Sequence, residues 1–82
     1  MAVPNIVLLK KQVLIQENSS KLGIIVNDGI DIFGEVVAAN DLVNNVDIGD
    51  IVLFNPSDCL IFRYDNSFFY IIDNDKLIFK ET

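Results

Sequence analysis

Asp73 and Asp75, two positions apart near the end of the chain, have the residue type and spacing of paired acids or metal ligands. Such a pair could exchange a proton with a substrate or bind a cation. A calcium loop, however, needs further oxygen ligands within a glycine-containing twelve-residue pattern, which this sequence lacks. The pair is more typical of a solvated turn than of a site.

The sequence contains few residues that could act as catalytic nucleophiles or zinc ligands. The chain contains one cysteine, Cys59, and no histidine, so Ser-His pairs, Cys-His pairs and the common zinc sites cannot be built. Cys59 lies among apolar residues with no basic neighbour before Arg63, and we expect an inert core thiol. No glycine-rich phosphate loop occurs. We therefore expect no enzymatic activity and no bound cofactor or metal.

The length and the net charge of the chain narrow the class of protein that it can be. The 82 residues allow a single domain, residues 1–82, and 51% of them are apolar, as is usual for a globular protein. The formal net charge of −6 disfavours binding to nucleic acid or to anionic membrane surfaces. Neither a signal peptide nor an apolar run long enough to cross a bilayer is apparent, so we expect a cytoplasmic protein.

β-Branched and aromatic residues come in short runs separated by Asn, Asp, Gly and Ser, which is the pattern of strands and turns. Strands are predicted at residues 6–9 with 13–15, 33–39, 51–54, 59–64, 68–72 and 76–80. The turn spacing predicts an all-β barrel or sandwich of about five to seven short strands. A domain this small without a disulfide is expected to gain stability by self-association.

Aromatic residues cluster between Phe62 and Tyr70, where they could be taken for a base-stacking surface. Arg63 is the only cation nearby, so a core and a subunit contact are the better interpretation. Phe68, Phe69 and Tyr70 are consecutive, so their aromatic side chains lie on both faces of their strand, and both faces need to be buried. One face is then the core, and the other is expected to meet a second subunit.

Several segments resemble, in order, the GroES family of co-chaperonins. NIVLL (5–9) followed by QVLI (12–15) is similar to the opening strands of the family, and GEVVA (34–38) to its Gly-Glu-Val strand. The most specific match is VDIGDIVLFN (46–55), in which Gly49 and Asp50 are expected to form a barrel corner. Residues 64–72 and 73–79 are similar to the late hairpin and the final strand. The resemblance implies a small GroES-like barrel.

In that family a mobile loop carries an apolar tripeptide, preceded by glycine, that docks on a chaperonin ring. Residues 17–32 occupy the same place here, and Gly23, Ile24, Ile25 and Val26 match the docking motif. On residue pattern alone, the same three apolar residues are more typical of a buried strand, and only the resemblance makes the docking motif an equal alternative. The loop is shorter than usual, and the 40–46 connection leaves no room for the hairpin that roofs the family's rings.

The resemblance further implies a ring of identical subunits, usually seven, that caps a chaperonin while the chaperonin binds and hydrolyses ATP. Terminal segments of neighbouring subunits would pair, and the expected interface residues are Ile6, Val7, Leu8, Leu9, Leu77, Ile78 and Phe79. A second hypothesis stays open: the reduced loop and missing roof are similar to a virus-encoded version, within a host cytoplasm, that serves as a particle or decoration protein without chaperonin binding. A mobile 17–32 segment would favour capping, and a rigid strand would favour the particle role.

Overall fold

A computed structural model describes residues 3–17, 24–26 and 29–81 of the chain, with residues 24–26, 29 and 30 described by their backbone alone. Seven strands and two short 3₁₀ turns make up its regular structure, and this described part contains no α-helix. In chain order they are β1 (Gln12–Glu17), β2 (Ile24–Val26), β3 (Gly29–Ala39), β4 (Ile51–Phe54), η1 (Pro56–Asp58), β5 (Leu60–Tyr64), β6 (Ser67–Asp73), η2 (Asn74–Lys76) and β7 (Phe79–Glu81). The prediction of an all-β domain with five to seven short strands is confirmed.

The strands form an antiparallel sheet in the order β5-β6-β1-β3-β4-β7, and β2 pairs with β3 outside this path. β5 and β7 are the two edges, and the ladder described for them does not join them, so the sheet is open. The long strand β3 is central, because it pairs with β1, β2 and β4. No helix in the described part of the chain has the length and apolar character needed to cross a membrane.

The sheet curls strongly about its inner face. Phe54 on β4 and Tyr70 on β6 are separated by two intervening strands, yet their ring centroids lie 5.1 Å apart in an edge-to-face contact. In a flat sheet three strand spacings would hold them about 14 Å apart. The rings therefore meet across the inside of the curl, around a buried cluster. That cluster consists of Val13, Ile15, Val36, Val46, Val52, Phe54, Tyr70 and Ile72.

Gly34 allows the curl at the centre of β3. A Cβ atom on this residue would overlap Ile15 Cγ2 and would lie 2.9 Å from the carbonyl oxygen of Gln16 and 3.0 Å from Phe54 Cε1. Nearby, the β1–β3 register shifts between Leu14 and Ile15, and such a bulge increases the local twist. The backbone of β1 and the Phe54 ring thus approach β3 at the place where a side chain is missing.

The corner before β4 has the structure that the Gly-Asp pair predicts. Gly49 has φ of +99°, and its N–H donates to the Val36 carbonyl at 2.7 Å. The Asp50 carboxylate accepts from the Asp47 N–H at 2.8 Å and lies 3.6 Å from Lys80 Nζ on β7. This corner fixes the start of β4 against β3, and its role is structural.

Three boundaries differ from the sequence-based expectation. Among the described residues, Ile6 to Leu9 form no hydrogen-bonded strand, whereas the sequence predicted one there. β7 begins at Phe79, since Asn74–Lys76 forms a 3₁₀ turn and Leu77 is its C-cap. β3 starts at Gly29, four residues before the predicted strand, because it also pairs with β2. Residues 40–50 contain no strand, as expected for a domain without a roof hairpin.

We predict that Gly34→Ala lowers the free energy of unfolding by about 3 kcal/mol, because its new methyl group meets backbone and core atoms that cannot move freely. Gly49→Ala is the comparison, since no atom lies within 4 Å of its added Cβ and only the positive φ opposes it. Its cost should be about 1 kcal/mol. Urea unfolding followed by far-UV circular dichroism measures both. Equal costs for the two variants would contradict the close-approach explanation for Gly34.

Candidate docking site

The candidate docking tripeptide forms one strand of a hairpin. β2 pairs antiparallel with the first residues of β3, with Ile24 opposite Asp31, Ile25 opposite Ile30 and Val26 opposite Gly29. Gly23, the first residue of the predicted motif, lies outside the described residues. We call the paired residues 24–26 and 29–31 the β2–β3 arm. The backbone of the tripeptide therefore forms a strand.

The β2–β3 arm extends beyond the end of the main sheet. The last pair of β1 with β3 is Glu17 opposite Gly34, and the last pair of β4 with β3 is Phe54 opposite Ile32. Residues 29–31 thus pair with β2 and with neither β1 nor β4. The three consecutive apolar residues of β2 consequently stand on a two-stranded extension of the sheet, past the curl that contains the core.

Polar groups at the end of β1 and in the first part of β3 are hydrogen-bonded or buried. Tyr70, in the core, donates its hydroxyl to Glu17 Oε1 at 3.3 Å, and Glu17 is the residue at which β1 ends. Burial, and next the neighbouring Glu17 carboxylate, raise the pKa of Tyr70 to about 12, so the phenol stays a donor at neutral pH. On β3, Asp31 is buried at the base, with only 6% of its surface exposed. The arm therefore begins beside a buried residue of its own, Asp31, and the Tyr70–Glu17 bond lies outside it, at the end of β1.

The predicted interface residues lie in two segments with different structure. Val7 and Leu9 are 79% and 86% exposed, whereas Ile6 and Leu8 between them are half-buried. In the C-terminal segment, Ile78 and Phe79 are about half exposed and Leu77 packs against the core. Phe79 also contacts Phe33 edge to face at 6.1 Å. Both segments present apolar side chains to solvent.

Apolar side chains on both faces of β5 and β6 are more exposed than the sequence suggests. Leu60, Ile61, Tyr64 and Phe68 are each more than two-fifths exposed. Phe69, in contrast, is fully buried between the rings of Phe62 and Tyr64, at 5.8 Å and 6.2 Å. Alternation within one strand places Phe68 and Phe69 on opposite faces, and both faces of β6 are covered in part, since Phe69 and Tyr70 are both buried.

The residues considered above for catalysis or metal binding make hydrogen bonds or ion pairs with neighbouring groups. Asp73 accepts a hydrogen bond from Gln12 Nε2 at 3.2 Å, and Asp75 lies 3.8 Å from Lys11 Nζ. Cys59 is half-buried, and its thiol donates to the Asn55 carbonyl at 3.5 Å. Across the residues that the structure describes, no three His, Cys, Asp or Glu side chains are grouped as metal ligands would be.

Comparison of the sequence with models of known protein families gives no match, and comparison with curated proteins gives none either.

We predict that Cys59 reacts slowly with iodoacetamide. Burial, and next the neighbouring Asp58 charge, raise the pKa of the thiol to about 12, and the thiolate is the reactive form. At pH 8 the alkylation rate should be at least roughly tenfold below that of the same chain unfolded in urea. The rate should still be increasing steeply between pH 9 and pH 10. Equal rates in the folded and unfolded chain would contradict the inert-thiol prediction.

Proposed function

We propose that this protein is a binding module that assembles as a ring of identical copies and docks on a chaperonin through Ile24, Ile25 and Val26. The observation that carries the proposal is the β2–β3 arm, which holds this tripeptide on an extension beyond the main sheet. A strand with its own backbone edge and three consecutive apolar side chains is suited to an apolar groove on a protein partner.

Ring formation is supported by the open sheet. β5 and β7 end the ladder at its two sides, and an unpaired edge is a template for another chain. Val7 and Leu9 are exposed, and Ile78 and Phe79 are about half exposed, in the two segments expected to meet in a ring. Burial of these groups would supply stability that one small core lacks.

The chemistry proposed for this chain is limited to binding. Each arm contributes a small apolar contact, and several arms on one ring bind together, so that modest single affinities combine into a strong one. The ring then closes the chaperonin chamber and helps to displace bound substrate. ATP is bound and hydrolysed by the chaperonin. The acidic balance of this chain, −6, is compatible with a protein partner and opposes a nucleic-acid one.

One observation favours the second hypothesis, a particle or decoration protein built on the same domain. The tripeptide is paired as a strand, as expected for a rigid segment, whereas the resemblance implied a mobile loop. Exposed apolar side chains on β5 and β6 would then serve as contacts within a particle. Binding to a chaperonin separates the two functions, because only the first requires it.

We predict that the purified ring co-elutes with a chaperonin in the presence of ATP and that Ile25→Asp abolishes this without dissolving the ring. A charge in the middle of the tripeptide would have to be buried without a partner in an apolar groove. Size-exclusion chromatography with light scattering gives both the mass of the ring and its binding. Ile48→Asp is the matched control, since Ile48 is 68% exposed in the connection before β4.

Two outcomes would overturn the capping function. One is a ring that never co-elutes with a chaperonin, which would leave the particle role. The other is equal loss of binding in Ile25→Asp and Ile48→Asp, which would show that added negative charge, and not the tripeptide, governs the association.

A further inference from the structure

The segment that precedes β1 is bent at both ends. The Ile6 N–H donates to the Pro4 carbonyl at 3.1 Å, and the Gln12 N–H donates to the Lys10 carbonyl at 2.7 Å. Each bond joins residues two positions apart, which is the pattern of a γ-turn. The two turns limit any extended run in this part of the chain to a few residues.

The Asn40 side chain, just after β3, holds the segment on its own domain. Its Nδ2 donates to the Leu8 carbonyl at 2.9 Å and to the Lys10 carbonyl at 2.6 Å. Its Oδ1 accepts from the Leu42 N–H at 3.1 Å, and its main-chain carbonyl accepts from the Val43 N–H at 3.1 Å. The amide therefore uses both its donor and its acceptor atoms, and the turn after β3 fixes its position.

These contacts oppose the role that the resemblance implies for residues 6–9. Pairing with a neighbouring subunit requires an extended backbone with free N–H and C=O groups. The Leu8 carbonyl, in the middle of the segment, is already bonded to Asn40, and the Lys10 carbonyl is bonded to both Asn40 and Gln12. A ladder of useful length forms only after these bonds break and the turns straighten.

The closed position is held by few interactions. Val7 and Leu9 are 79% and 86% exposed, so their side chains gain little burial from it. Pro4 is buried, and Ile6 and Leu8 are half-buried. Among the described residues, the hydrogen bonds from residues 3–9 to the rest of the domain go through Asn40. A segment held in this way can open while the core stays folded.

We propose that Asn40 is an autoinhibitory latch, which holds residues 6–10 in a bent conformation on their own domain and thereby opposes assembly. This inference rests on the ring formation proposed above and adds a control on that step. When only a fraction of the chains is open, the apparent affinity between copies falls by that fraction. Release of the latch therefore promotes assembly.

Asn40→Asp tests the latch with almost no change of shape. The carboxylate still accepts from the Leu42 N–H, but it cannot donate to the Leu8 and Lys10 carbonyls. We expect the concentration for half-assembly, measured by analytical ultracentrifugation, to fall roughly tenfold, since the loss of two hydrogen bonds raises the open fraction. Asn40→Ala removes the amide without adding charge and should act in the same direction.

Asn45→Asp is the matched control, because it makes the same charge change at an exposed residue. Its concentration for half-assembly should stay within about twofold of the wild-type value. Trypsin gives a second readout on the dissociated chain. Cleavage after Lys10 or Lys11 requires the segment to leave the surface, so Asn40→Asp should be cut there severalfold faster than wild type, and Asn45→Asp at the wild-type rate.

The two readouts separate the latch from the ring. Tighter assembly of both Asn40 variants, with faster cleavage, supports the proposal. Weaker assembly of both variants would show that the contact prepares the segment for pairing, which overturns autoinhibition. Unchanged assembly with unchanged cleavage overturns the latch and leaves the ring intact. If wild type and variants all stay monomeric at every concentration, the proposed ring and its control both fall, and the cleavage rates still report whether Asn40 holds the segment.

Discussion

The contact between the Phe54 and Tyr70 rings, 5.1 Å apart across the inside of the sheet, is the constraint on which the remaining structure depends. Strands separated by two neighbours meet only if the sheet curls, and the curl requires Gly34, because a side chain there would occupy the space of Ile15 and Phe54. The same Tyr70 hydroxyl binds Glu17 at the end of β1. The Tyr70 side chain therefore joins the core to the end of β1, where Glu17 pairs with Gly34 of β3.

The curl has a consequence for the edges of the sheet. It brings the inner face together, but the ladder still ends at β5 on one side and β7 on the other. An 82-residue chain has only a small core, and its single cysteine cannot form an internal disulfide. Burying an edge against a second copy satisfies backbone groups and covers apolar side chains at the same time. Assembly, which both proposed functions require, would therefore add stability to this fold.

The pattern of residue types alone predicts most strands of the sheet. The β-branched runs at β1, β4, β5 and β6 predicted strands close to those observed, and Gly49-Asp50 predicted the corner, because these features depend on local preference. Residues 6–9 have the same apolar pattern as a strand, yet a strand also needs a partner, and the pattern does not say where one is. Asn40 carries a turn signal in the sequence. Its bond to Leu8 joins residues 32 positions apart, which no local pattern indicates.

Order in the β2–β3 arm changes the energetics expected of a docking segment. A mobile loop loses conformational freedom when it binds, and this loss weakens each contact, so that many copies are needed and release is easy. A tripeptide already paired along β3 has lost much of that freedom before binding. Each of its contacts would be stronger, and fewer copies would be sufficient. Pairing of the tripeptide is thus compatible with docking, provided that release is driven by a change in the partner and not by disorder of the arm.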